Sequence, residues 1–137
     1  MEKNDFRSYR ALVMEVQQLR EQLAVLESSI YSPKGQRFTS MPRVPSGERS
    51  TMDGVIDRHM RLVELYEAEL AEKEARQFAI EQAIESLGDT PERVIMRELY
   101  IMGRRWPAVI KKMEKLGFSE STTYRRHGYA LLKLKEV

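Results

Sequence analysis

From Tyr9 the apolar residues fall at Tyr9, Leu12, Val16, Leu19, Leu23, Leu26 and Ile30, in alternating steps of three and four without a miss. That spacing is a seam of period 3.5, narrower than the stripe of an ordinary surface helix. A chain that carries it must lay it against a partner helix. Glu15, Gln17, Gln18, Arg20, Glu21, Gln22 and Glu27 occupy the remaining positions, as a solvated outer face requires. Pro33 disfavours helical geometry at Ser32, so the helix is expected to stop near Tyr31.

A second seam supplies the partner. From about Asp53 to Leu87 it runs Ile56, His59, Val63, Tyr66, Leu70, Lys73, Gln77, Ile80, Ile84 and Leu87, again in steps of three and four. Folding back with Ile30 against Ile56 sets Tyr9 roughly opposite Gln77. The two polar seam positions, Lys73 and Gln77, then fall at the end of the first helix, where less apolar surface needs cover. The expectation is an antiparallel coiled-coil hairpin over residues 1–87, with Ile80, Ile84 and Leu87 reaching the next module. Apolar surface left over at Ile80 and Ile84 would help a dimer to form. Residues 32–52 hold Pro33, Pro42, Pro45, Gly35 and Gly47, which mark a long loop. Lys34, Arg37, Arg43 and Arg49 make it basic, so it is either a linker or a contact to DNA or protein.

Gly88-Asp89-Thr90-Pro91 ends one helix and starts another: Gly88 suits a left-handed C-terminal position, Asp89 or Thr90 caps, and Pro91 sits in the first turn. Residues 88–137 form the second domain on this reading. Its first helix, Pro91 to Met102, turns Val94, Ile95, Leu99 and Met102 inward and closes at Gly103. Trp106 to Leu116 follows, with Val109, Ile110, Met113 and Leu116 inward. Gly117 permits a tight turn, and Ser119 caps a third helix whose inner face is Thr123, His127, Ala130, Leu131 and Leu134. Three short helices in this order, the last basic and rich in hydroxyls, make a helix-turn-helix. The fold class is therefore all-α: a long-helix hairpin followed by a three-helix module.

The outer face of the third helix points to duplex DNA. At about 100° per residue, Ser121, Arg125, Tyr129 and Leu132 lie opposite Thr123, flanked by Thr122 and Arg126. Arginine bonds guanine bidentately in the major groove, and Ser or Thr bonds bases or phosphate. Arg125 is thus the candidate for base readout, with Ser121 and Thr122 beside it. Arg126, Lys112 and Lys133 are placed for phosphate. Charge agrees: residues 91–137 carry eleven Lys/Arg against five acids, whereas the whole chain nets only +2. A three-helix protein-binding module is the alternative.

Pro91-Glu92-Arg93-Val94, Trp106 to Met113, Ser119-Glu120-Ser121-Thr122 and Ala130-Leu131-Leu132-Lys133-Leu134 resemble region four of bacterial sigma factors, a helix-turn-helix that binds promoter DNA. With the hairpin, the Ser32-Pro33 and Met41-Pro42 loop and Tyr124-Arg125-Arg126-His127-Gly128, most of the chain is similar to small phage-encoded proteins of Gram-positive hosts. Some of these are ArpU-like or late-operon transcriptional regulators. The resemblance implies a phage transcriptional regulator, with host RNA polymerase as a further partner. Three positions depart from the sigma pattern. Glu114-Lys115-Leu116 lengthens the second helix by about one turn, Arg105 stands for a capping serine, and Thr123 stands for an apolar residue.

Other classes are disfavoured. There is no phosphate-cradling glycine loop, no HExxH and no cysteine, and the two histidines, His59 and His127, read as a seam and a core residue. Neither an enzyme nor a cofactor or metal is expected. No run of apolar residues spans a membrane, and the N-terminus does not read as a signal peptide, so a cytoplasmic protein is expected. Two readings compete with the regulator, which is expected as a homodimer. One is a small terminase-like DNA-packaging component, which predicts a ring; the other is a polymerase-binding adaptor without sequence preference.

Overall fold

The computed structural model describes residues 1–31 and 48–136. The described residues are all-α. Six helices follow in order: α1 (Lys3–Arg7), α2 (Tyr9–Tyr31), α3 (Glu48–Glu85), α4 (Pro91–Met96, continued by a π-helical turn Arg97–Ile101), α5 (Trp106–Lys115) and α6 (Glu120–Lys135). The expected loop with Lys34, Arg37 and Arg43 lies outside the described residues. Helix α3 begins at Glu48, earlier than the expected start near Asp53, so Arg49 belongs to a helix.

The chain packs as two compact units, residues 15–74 and residues 1–14 with 75–137. This division differs from the expected one at residue 88. The helix break itself does fall there: Gly88 has φ +72°, and the Thr90 hydroxyl accepts from the Arg93 N–H at 3.4 Å. It lies inside a compact unit because the ends of α2 and α3 share a core with the helices beyond it.

Within 15–74, α2 and α3 of one chain run antiparallel. Lys73 Nζ meets Glu15 Oε2 at 2.6 Å, and Arg20 Nη2 meets Glu74 Oε2 at 3.0 Å. Val16, Leu19 and Leu23 are buried, and Val63, Tyr66 and Leu70 are half-buried. The seam lysine is thereby explained: its stem covers the seam and its ammonium reaches a carboxylate across it. Ile56 is exposed, and the side chain of Ile30 lies outside those described.

In the other unit the expected register persists, since Gln77 and Glu81 lie beside the Tyr9 hydroxyl. Burial raises the pKa of that hydroxyl above its usual value, with the Glu81 carboxylate adding to the rise against the Gln77 bond. Phe6, Tyr9, Leu12, Ile80, Ala83, Ile84, Met96, Tyr100, Ala130 and Leu134 form one core. The short α1 was not anticipated; five residues are too few to show a period, yet its Phe6 is fully buried. Ile80 and Ile84 are buried in the same core. They leave no apolar surface for a dimer, contrary to expectation.

Two expected core positions are exposed. Met102 follows the π turn, where its N–H bonds the Arg97 carbonyl five residues back at 2.8 Å. The wider turn takes in one more residue, so Tyr100 faces the core and Met102 swings out. Leu116 closes α5 in a Schellman motif: the Phe118 N–H bonds the Met113 carbonyl, the Gly117 N–H bonds the Glu114 carbonyl, and Gly117 has φ +95°. Phe118, rather than Leu116, packs on Ile95, Val109 and Met113.

Candidate nucleic-acid interface

Helix α6 owes its position to both ends of its own sequence. Ser119 caps it, its Oγ accepting from the Thr122 N–H at 3.2 Å. On the inner face Thr123, His127, Ala130 and Leu134 are buried, with Leu131 packed against the core. Thr123 occupies an apolar site without an orphan hydroxyl, because its Oγ1 donates to the Ser119 carbonyl at 2.9 Å. Arg105 precedes α5 with no side-chain cap, as the departure from the sigma pattern implied.

The inner face also carries an aromatic box. His127 Nε2 lies 2.8 Å from the Tyr100 hydroxyl, Trp106 meets the imidazole edge-on at 4.9 Å, and Tyr124 packs on Trp106 at 4.6 Å. Burial, helped by the charges of Lys3 and Arg7, pushes the His127 pKa down to about 4. The imidazole is neutral at physiological pH and serves as a core residue. Burial likewise raises the Tyr100 pKa, against a smaller opposite pull from Arg7.

Ser121, Arg125, Tyr129 and Leu132 are exposed together on the outer face, with Thr122 half-buried beside them. Thr122 Oγ1 accepts from Ser119 Oγ at 2.8 Å and from Arg125 Nη2 at 3.3 Å. Arg125 is thus tied to the first turn of its own helix while its side chain stays exposed. Lys133 is exposed further along.

Arg126 and Lys112 stand apart from that group. Arg126 Nη1 donates to Glu92 Oε1 at 3.2 Å, tying α6 to α4, and Lys112 bonds Glu98, tying α5 to the π turn. Arg104 Nε lies 2.7 Å from the second Glu98 oxygen. Both carboxylates are buried, and sequence reasoning missed them. Their partners lie far along the chain, so no local spacing announces the pairs. Arg105 and Lys111, by contrast, are exposed cations of α5 and its N-cap, Lys111 lining a hollow with Glu114, Glu120 and Tyr124.

One family model, described as a protein of unknown function (DUF1492), matches residues 29–135. The chain belongs to the DUF1492 family. No curated protein and no solved structure matches it. The family match therefore spans all of α3 to α6, including the Ser121-Thr122-Arg125 group and both buried carboxylates. Among the described residues of this DUF1492 chain no helix is long and apolar enough to cross a membrane, and no group of three His, Cys, Asp or Glu stands ready for a metal.

Proposed function

We propose that this DUF1492 chain is a phage-encoded transcriptional regulator that binds double-stranded DNA through α6. The observation that carries the reading is the group of exposed Ser121 and Arg125 with half-buried Thr122 at the N-terminal end of a helix whose other face is buried. Recognition helices of this class present that end to base edges in the major groove. The exposed cations Lys133, Arg105 and Lys111 are the candidates for phosphate neutralisation. Arg125 reads a base and Thr122 orients it, while Arg126 and Lys112 hold the helices in place. A homodimer would present two such helices to a symmetric site, and host RNA polymerase is the second partner of a regulator of this kind.

Selection from random duplex DNA with the full chain tests the reading, and a recurrent motif is expected. On that motif Arg125→Ala costs about 1–3 kcal/mol and relaxes preference at one position. Arg126→Ala weakens all sequences alike and lowers stability, because Glu92 loses its partner. Absence of any enriched sequence would favour the adaptor reading. A ring of subunits by solution mass would favour a packaging component.

A further inference from the structure

A groove of about 460 Å³ lies between the C-terminal part of α3 and the π turn, within the unit formed by residues 1–14 and 75–137. Its walls are Phe78, 59% exposed, and Met102, 54% exposed, with half-buried Ile101 completing the apolar lining. The π turn creates this surface. On regular α-helical spacing Met102 would follow Ile95 and Leu99 inward; the extra residue of the turn delivers it to the groove instead. Two large apolar side chains left facing water in one concavity mark an interaction site more often than scattered ones do.

The groove is held in shape before anything binds. Arg10 Nη1 donates to the Ile101 carbonyl at 3.1 Å, satisfying the end of the π turn. Arg97 forks onto Glu85, Nε to Oε1 at 2.7 Å and Nη2 to Oε2 at 2.5 Å, and this pair closes one side. The same bond holds the Glu85 carboxyl below its usual pKa. Gly103, at φ +70°, lets the chain leave the turn beneath Arg10, where an added Cβ would come within 3.1 Å of Nε.

Charge along the groove is uneven. Glu98 faces Lys112 and Arg104, and Glu85 is taken by Arg97. Glu81 makes no ion pair among the described residues and lies beside the Tyr9 hydroxyl. The rim therefore offers one carboxylate without a paired cation next to an apolar slot.

We propose that this groove receives one amphipathic helix of a partner protein, seating a bulky apolar side chain between Phe78 and Met102 and a Lys or Arg against Glu81. A helix laid by its apolar face into such a groove is a recurrent recognition mode. A second copy of this chain fits less well. Groove-to-groove pairing about a two-fold axis would bring two Glu81 carboxylates to one rim, with the Arg97 of each copy already held by Glu85. This inference does not rest on DNA binding by α6.

The test is selection of helical peptides from a randomised display library on the full chain, followed by affinity measurement of the enriched peptides. Apolar residues at helical i, i+3/i+4 spacing flanked by Lys or Arg are expected. Binding should fall at least about tenfold on Phe78→Ala and on Met102→Ala, as for loss of an interface anchor. Glu81→Lys should reject the basic peptides and accept their Lys→Glu counterparts. Circular dichroism confirms that each variant stays folded, and DNA binding measured in parallel should not change. No enrichment, peptides with acidic flanks, or peptides indifferent to Phe78 and Met102 would overturn the proposal. So would a concentration-dependent dimer that Phe78→Ala abolishes, since the occupant would then be a second copy.

Discussion

In residues 15–74 two helices share a single seam, and the α3 side of it, Val63, Tyr66 and Leu70, remains half-buried. In the other unit Phe6, Ile84, Ile95, Met96 and Met113 lose essentially all exposure. The difference is one of coverage. A helix pair covers each seam residue from one direction only, whereas α1, the ends of α2 and α3, and α4 to α6 cover a side chain from several. The first arrangement follows from a repeat along the chain. The second depends on segments more than a hundred residues apart, such as Phe6 and Leu134 in one core.

Phe6→Ala tests this contrast with the largest expected effect. Removing a fully buried phenylalanine costs about 3–5 kcal/mol, read as a lower denaturant midpoint for the signal of Trp106. Leu19→Ala strikes the hairpin instead. Its seam is thinner, so a loss of about 2–3 kcal/mol, at the low end for a buried leucine, is expected in far-ultraviolet circular dichroism. Equal losses from the two substitutions would erase the distinction between one-sided and many-sided burial.

Acid sharpens it further. The folded pKa of His127, about 4, lies below the ordinary value of 6.5, so the unfolded chain binds the proton more readily. The stability this neutral imidazole contributes is complete above about pH 6.5 and is lost as pH falls through 4. Unfolding midpoints between pH 7 and 4 should decline, and His127→Gln should flatten the decline. The smallest effect is expected at Arg20 and Glu74, both well exposed in the hairpin. A double-mutant cycle should return a coupling of no more than about 0.5–1 kcal/mol that fades with added salt. A stronger coupling would show that polar pairs, rather than the seam, hold α2 to α3.

Much of the candidate interface was legible because helical geometry is local. Ser119 as cap, Thr123, His127, Ala130 and Leu134 as the inner face, and Ser121 and Arg125 as the outer face all follow from 100° steps and one capping rule. The engagement of Arg126 by Glu92 and of Lys112 by Glu98 was not legible. On sequence alone each cation is simply basic and near the interface; its partner is chosen by which helices touch.

The sequence by itself determined the two long seams, their antiparallel register through Tyr9 and Gln77, the break at Gly88 and the faces of α6. Each of these is a consequence of backbone geometry acting over a few turns. Only the tertiary structure decided that α1 plugs the core with Phe6, that Ile80 and Ile84 are spent inside it, and that a π turn turns Met102 outward beside Phe78. These outcomes require close packing among distant segments. A one-residue change in register, invisible to a periodic pattern, moves a side chain from core to surface.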